Sequence, residues 1–173
     1  TGLAFNPLSG ELYGTTSAGF GAGDLVLIDP DTAATTVIGP HLGPIVDISF
    51  APDGTLFGWT ENSDDPVTVD LTTGAATVIG PEGWSSAGAA LDFSNDGRLW
   101  RFGSGPGTGS CEVQSWSKDG DYIATSATMA GCESITAGSH DADGNLFVIT
   151  GGGGGSGSPK QLGVLDKNSG DVF

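Results

Sequence analysis

The chain has 173 residues, enough for one compact domain or for an array of small repeated units. Its net charge of −16, from 21 acidic and 5 basic residues, would repel phosphate backbones and anionic lipid. We therefore expect no nucleic-acid partner and no membrane insertion. Glycine is abundant, at 31 residues, without the Gly-X-Y period of collagen, and an apolar content of 37 % is enough to build a core.

A tight turn recurs roughly every 45 residues along the chain. It reads LSGELYG, PDGTLFG, NDGRLWR and ADGNLFV, and its glycines are Gly10, Gly54, Gly97 and Gly144. Three of the four turns carry Asp-Gly, the strongest short hairpin signal, because both residues tolerate a positive φ. Each repeat is therefore predicted to contain a hairpin between its first two strands.

Further strands follow in the same order in each repeat. The first strands, GLAF, DISF, ALDF and AGSH, place Phe5, Phe50 and Phe93 at equivalent core positions, with His140 as an ordinary core histidine in the fourth. The third strands are DLVLID, PVTVDL, CEVQSW and QLGVLD, and the fourth are TTVIGP, ATVIGP, YIATSAT and the short DVF. Apolar residues lie on both faces of these strands, which is typical of sheets packed between neighbours.

Four short antiparallel strands repeated at this spacing predict an all-β β-propeller of four four-stranded blades, with essentially no helix. The blades are expected at residues 1–43, 44–86, 87–133 and 134–173, as one domain or as a segment of a larger ring. Because the last repeat ends inside its fourth strand, we expect either a piece of a longer protein or a structure that neighbouring copies complete.

The segments GLAFNPLSGELYG, LVLIDPDTAATTVIGP and VDLTTGAATVIGP resemble the repeats of secreted, mostly bacterial β-propeller proteins of poorly characterised function. The resemblance covers nearly the whole chain and is clearest over residues 3–102. It implies a secreted protein and a ring of more than four blades. It implies no particular activity, because propellers carry many unrelated functions.

Two cysteines, Cys111 and Cys132, are most simply paired with each other, which indicates an oxidising compartment. The alternative is two buried free thiols. Neither cysteine belongs to a Cys-x-x-Cys motif and no histidine cluster accompanies them, so a zinc site is not expected.

Asp141, Asp143 and Asn145 alternate along the fourth turn as calcium ligands do. An EF-hand loop would need a glutamate at its twelfth position, and that position is Gly152. Ordinary hydrogen bonds within the turn are the alternative. We expect no required cofactor, while the acidic charge leaves calcium binding open.

Three further candidates, His41, Glu82 and Trp84, lie in the exit turns that join one repeat to the next. Such turns reach one rim of a propeller, where ligands commonly bind. Trp84 could stack on a sugar and Glu82 could hydrogen-bond it, so a glycan is a candidate ligand. The alternative is a tryptophan that packs over the adjoining blade.

The sequence has no Gly-x-Ser-x-Gly and no His-Glu-x-x-His motif, so we expect that it is not an enzyme. We expect a secreted, non-catalytic module with a structural, adhesive or protein-interaction role, at the cell surface or in a filamentous assembly. It would bind further protein through open blade faces, in the same chain or in another copy. The alternatives are a rim that binds a glycan or small ligand, and a metal-dependent hydrolase or lyase using Asp47 and Asp92.

Overall fold

The computed structural model describes residues 2–16, 23–41, 43–61, 63–80, 89–104, 110–130, 135–151, 160–169 and 171–173. Every regular element among them is a β-strand, and they contain no helix that could span a membrane. The chain divides into two compact units, Thr1–Trp84 and Ser85–Phe173.

Unit 1 contains two antiparallel sheets, each with its strands in chain order. Blade 1 consists of β1 (Leu3–Phe5), β2 (Leu12–Thr15), β3 (Asp24–Ile28) and β4 (Thr35–Pro40). Blade 2 consists of β5 (Ile45–Phe50), β6 (Leu56–Thr60), β7 (Pro66–Val69) and β8 (Ala76–Val78).

Unit 2 repeats this arrangement. Blade 3 consists of β9 (Ala89–Phe93), β10 (Arg98–Ser104), β11 (Ser110–Ser117) and β12 (Tyr122–Ala130). Blade 4 consists of β13 (Ile135–His140), β14 (Leu146–Thr150) and β15 (Gln161–Leu165). The DVF segment predicted as its fourth strand forms only an isolated bridge, Leu165 to Val172, within the described residues.

The predicted hairpins between first and second strands are confirmed. The turn glycines have φ angles of 75° to 85°, a left-handed conformation that side chains with a Cβ rarely adopt: Gly10, Gly54, Gly97 and Gly144. Each turn joins two antiparallel strands in the expected register, for example Phe5 opposite Leu12 and Phe50 opposite Leu56.

The core of unit 1 lies between blades 1 and 2. Blade 1 contributes Tyr13 and Leu25, and blade 2 contributes residues that include Phe50 and Leu56. The Tyr13 and Phe50 rings meet edge to face, with their centroids 5.4 Å apart. All five residues of β6 are buried, as expected for a strand that is covered on both faces.

The core of unit 2 lies between blades 3 and 4 in the same way. Trp100, Phe102 and Val113 of blade 3 pack with Leu146 and Val148 of blade 4. Blade 3 has the longest strands of the chain, and two β-bulges interrupt the register between β11 and β12.

One core prediction is wrong. Phe50 and Phe93 are buried, but Phe5 is 59 % exposed. All three residues end the first strand of their blade, so the difference lies in what covers that face of the sheet. The described structure places no side chains over Phe5 comparable with the packing that buries Phe50.

Candidate functional site: two open blade faces and a polar contact between blades 3 and 4

The two faces of a blade can be named from the packing in unit 1. We call the face of blade 2 that packs on blade 1 its upstream face, and the opposing face of blade 1 its downstream face. Phe50 belongs to the upstream face of blade 2, whereas Tyr13 and Leu25 belong to the downstream face of blade 1.

The upstream face of blade 1 is open. Phe5 is equivalent to Phe50 by strand register, yet it is 59 % exposed where Phe50 is 8 % exposed. Leu3, two residues earlier on the same face of β1, is 66 % exposed. These two side chains would lie in water at a position that is apolar core in blade 2.

The downstream face of blade 4 is open as well. By register, Phe147 and Leu162 are the equivalents of Tyr13 and Leu25 in blade 1. Leu162 is 72 % exposed, whereas Leu25 is completely buried. Phe147 is 38 % exposed, whereas Tyr13 is only 7 % exposed. Exposed apolar side chains at positions that are otherwise core mark a surface that another molecule can cover.

The outer edge of blade 4 adds backbone groups to this open surface. The last residue, Phe173, exchanges two backbone hydrogen bonds of 3.0 Å with Val164 and is itself 81 % exposed. Beyond that point no outer strand pairs with Gln161–Gly163 among the described residues.

A polar contact joins blades 3 and 4 where unit 1 has an apolar one. The Asp92 carboxylate accepts hydrogen bonds from the His140 backbone N–H (2.6 Å) and ring Nδ1 (2.7 Å). His140 Nε2 lies 3.4 Å from the nitrogen of the Lys167 ammonium. That ammonium also donates to the Gly144 carbonyl (3.3 Å) and lies 4.9 Å from the centre of the Trp100 ring.

Strand register shows which residues this contact replaces. Asp92, Trp100 and His140 of unit 2 stand where unit 1 has Ala4, Tyr13 and Phe50. The His140 side chain is only 3 % exposed, so it is the satisfied core histidine that the sequence predicted. The sequence pattern does not predict Asp92 and Lys167 as its partners; Asp92 is a candidate there only with Asp47, as an inner-strand carboxylate. The pairing of a histidine at a phenylalanine position with an aspartate at an alanine position was the available signal.

The predicted rim residues are only partly within the described structure. Glu82 and Trp84 lie outside the described residues. His41 is completely buried, and its Nδ1 donates a hydrogen bond of 2.7 Å to the Gly43 carbonyl. Its Nε2 is buried without a hydrogen-bond partner. Binding of a ligand by these three residues stays a prediction.

The predicted calcium ligands form a hydrogen-bonded turn. Asp141 accepts hydrogen bonds from the backbone of Asp143 and Asn145 and from the Asn145 side chain. The Asn145 side-chain amide is the main reason why the pKa of Asp141 is lowered. Within the described residues, no three histidine, cysteine or acidic side chains converge as a metal site would require. Calcium binding at this turn stays a prediction.

The remaining candidates concern the cysteines and Asp47. Cys111 is completely buried opposite Met129, and the described part of the chain contains no free thiol. Its predicted partner, Cys132, lies outside the described residues, so the pairing stays a prediction.

Asp47, proposed with Asp92 as an inner-strand carboxylate, accepts a hydrogen bond from the Ile48 backbone.

Comparison with known proteins identifies the fold. No family model and no curated protein matches the sequence. TolB from Acinetobacter baumannii is similar over 99 % of this chain and 42 % of its own, with 18 % identity and a TM-score of 0.67. The PQQ-bound aldose sugar dehydrogenase of Streptomyces coelicolor is similar over 94 % of this chain and 58 % of its own, with 18 % identity and a TM-score of 0.69. Regucalcin from Agrobacterium tumefaciens, a calcium-binding protein, is similar over 85 % of this chain and 51 % of its own, with 22 % identity and a TM-score of 0.62.

These likenesses confirm the predicted fold class: the chain has the all-β β-propeller fold, and it spans about half the length of these three proteins. They also correct one expectation. The prediction that the chain is not an enzyme is wrong as an inference from its fold and motifs, because similar structures include the dehydrogenase, a puromycin hydrolase and a virginiamycin B lyase. Propeller enzymes can place catalytic groups on loops, where the strand pattern of the sequence gives no signal.

Proposed function

We propose that this chain is a protein-interaction β-propeller module whose first partner is a second copy of itself. The downstream face of blade 4 in one copy packs on the upstream face of blade 1 in the next. The observation that carries the proposal is the contrast within the chain between Leu25, completely buried, and its equivalent Leu162, 72 % exposed.

The two open faces are complementary because unit 1 contains the same kind of interface. There, a downstream face with Tyr13 packs on an upstream face with Phe50. Phe147 of blade 4 and Phe5 of blade 1 are the register equivalents of these two residues. A contact between copies would repeat the contact between blades 1 and 2, and it would bury side chains that water otherwise surrounds.

Length and charge set the form of this assembly. The aligned 85 % of this chain spans 51 % of regucalcin, so one copy corresponds to roughly half of that protein. A contact that joins two different faces is heterologous, so it produces closed rings or open filaments. The net charge of −16 opposes self-association, so salt should strengthen it by screening. We place this role outside the cytoplasm, at a cell surface or in an extracellular assembly, on the grounds of the acidic charge and the predicted cysteine pair.

Sedimentation velocity of two single variants and their mixture tests the proposal. Phe5→Lys disables the upstream face of blade 1, and Leu162→Lys disables the downstream face of blade 4. Each variant alone should be monomeric at concentrations where the wild type associates. Their equimolar mixture should form a one-to-one dimer, because each variant retains the face that the other has lost.

Lysine is chosen because it lowers the net negative charge, so a loss of association cannot be attributed to added repulsion. Val78→Lys is the matched control, because Val78 is 54 % exposed on β8 of blade 2, a strand that belongs to neither open face, and this variant should associate as the wild type does. A wild type that stays monomeric at all salt concentrations, or a mixture that stays monomeric, would overturn the proposal.

A further inference from the structure

We propose that the peptide bond between Asp65 and Pro66 is a self-cleavage site, at which the Asp65 side chain is the nucleophile. This bond joins the β6–β7 loop of blade 2 to the first residue of β7. The observation that carries the proposal is a buried carboxylate oxygen without a partner. Self-cleavage here is independent of the open blade faces and of association between copies.

The Asp65 side chain lies in an environment that ordinarily requires a partner. The residue is 4 % exposed, and its Oδ1 atom is buried without a hydrogen bond to any of the described residues. A buried oxygen that makes no hydrogen bond is costly to remove from water, so such a group calls for a functional explanation. The backbone before it is strained, because Asp64 has a φ of 54°, in the left-handed region that favours glycine.

The carbonyl group of the same bond is polarised. Its oxygen accepts hydrogen bonds from the Thr60 backbone N–H (3.0 Å) and from the Thr60 hydroxyl (3.3 Å). The hydroxyl hydrogen is available for this bond when Ser63 Oγ, at 2.8 Å, donates to Thr60 Oγ1. Two donors on one carbonyl oxygen stabilise the negative charge that develops there when a nucleophile adds to the carbon. Pro66 contributes a tertiary amide nitrogen, which takes up a proton and leaves more readily than an ordinary peptide nitrogen.

The reaction is the hydrolysis of one peptide bond, and water is its only co-reactant. An Asp65 side-chain oxygen attacks the Asp65 carbonyl carbon and forms a cyclic anhydride, while the bond from that carbon to the Pro66 nitrogen breaks. The nitrogen takes up a proton from solvent and becomes the secondary amine of a new N-terminus. Water then opens the anhydride, which leaves Asp65 with an α-carboxyl and a side-chain carboxyl. Solvent reaches this loop, because Glu61 and Ser63 are exposed.

The chain contains a matched control, the Asp29–Pro30 bond after β3 of blade 1. Its carbonyl oxygen also accepts a hydrogen bond, from the Ala33 N–H at 2.8 Å. The Asp29 carboxylate, however, is exposed and accepts hydrogen bonds from the backbone of Asp31 and Thr32. These bonds, chiefly the one from Thr32, lower the pKa of Asp29, which makes its carboxylate a weaker nucleophile. The two Asp-Pro bonds therefore differ mainly in whether a side-chain oxygen is already engaged.

Denaturing intact-mass spectrometry of the whole chain tests the proposal. Denaturation is needed because β6 and β7 pair with each other and would hold the products, 1–65 and 66–173, together. The folded chain is incubated in mildly acidic buffer, which supplies the proton for the leaving nitrogen, at a pH where circular dichroism shows native structure. A second sample is incubated in urea at the same pH until it is measurably cut at both Asp-Pro bonds.

The fold should make one bond much more reactive than the other. In the folded chain, cleavage at Asp65–Pro66 should exceed cleavage at Asp29–Pro30 at least about tenfold. In urea the two bonds should be cut at similar rates, because the hydrogen bonds that distinguish them are lost. Sequencing of the larger product should begin at Pro66.

Two conservative variants assign the nucleophile. Asp65→Asn keeps the size of the side chain and removes the carboxylate, so cleavage after residue 65 should fall at least about tenfold, while cleavage after residue 29 stays unchanged. Asp29→Asn is the matched control and should leave cleavage after residue 65 unchanged. If Asp65→Asn does not fold, the comparison of the folded chain with the chain in urea decides alone.

Three results would overturn self-cleavage. The first is equal cleavage of the two bonds in the folded chain. The second is a folded chain that is cut at neither bond while the chain in urea is cut at both. The third is a folded Asp65→Asn chain that is cut after residue 65 at the wild-type rate.

Discussion

Replacing the equivalent residues Phe50 and Phe5 by alanine should have very different effects on the free energy of unfolding. Phe50 is 8 % exposed and packs against the Tyr13 ring, so Phe50→Ala removes a core side chain and leaves a cavity. Such truncations cost about 3–5 kcal/mol. Phe5 is 59 % exposed, so less than half of its surface is removed from water on folding. With about 1.5–3 kcal/mol for complete burial, Phe5→Ala should cost roughly 0.5–1 kcal/mol.

Urea unfolding at low protein concentration is the appropriate assay, because association would stabilise the folded form. Both residues belong to unit 1, so one cooperative transition reports on both variants. If copies associate as proposed, the deficit of Phe5→Ala should grow with protein concentration, because the wild type alone gains stability from binding. Equal deficits for the two variants at the lowest concentration would show that Phe5 is packed, and would refute the argument for an open face.

Three further predictions concern turns and the cysteines. Ala33 has a φ of 57° where the equivalent turn of blade 2 has Gly74, so Ala33→Gly should raise the free energy of unfolding by about 0.5–1 kcal/mol; a lower melting temperature would contradict this. Hydrogen bonds, chiefly from the Thr72 hydroxyl, lower the pKa of Asp70 from 3.8 to about 2. Stability from this carboxylate is present above its unfolded-state pKa and is lost as the pH falls, so the deficit of Asp70→Asn should shrink between about pH 4 and about pH 2; a constant deficit in urea unfolding would show that the charge is not involved. Unfolded but unreduced protein should take up no thiol-alkylating reagent, whereas labelling of Cys111 by mass spectrometry would exclude the predicted bridge.

The strands and their hairpins could be predicted from the sequence because local chemistry determines them. Asp53-Gly54 and Asp96-Gly97 specify a turn whatever surrounds them, and each turn fixes the register of the strands that it joins. Apolar residues on both faces of β6 likewise predicted a strand covered on both sides, which its burial confirms.

The exposure of Phe5 could not be predicted in this way. Phe5 ends its strand opposite Leu12 just as Phe50 ends its strand opposite Leu56, and the two differ in what covers that face of the sheet. Likewise, Asp92 and His140 are 48 positions apart, and no local pattern links them. The register of blade 3 is not readable from the sequence either, because two bulges between β11 and β12 place Cys111 opposite Met129. Bulges depend on tertiary packing, which the period of the strands does not encode.

The polar contact in unit 2 also bears on which faces can pair. Apolar blade faces of similar shape discriminate poorly between partners, whereas a buried polar group rejects a partner that leaves it unsatisfied. His140 on the upstream face of blade 4 needs a carboxylate opposite it, and blade 3 provides Asp92. Blade 4 itself has Ser139 at the position of Asp92, so its downstream face could not satisfy a histidine. That face resembles the downstream face of blade 1, which has Ala4 there and packs on a phenylalanine. An upstream face whose first strand ends in a phenylalanine, as that of blade 1 does with Phe5, would therefore fit the open face of blade 4, whereas one with His140 would not. If copies associate as proposed, His140 would thus direct the open face of blade 4 away from the upstream face of another blade 4 and towards that of blade 1.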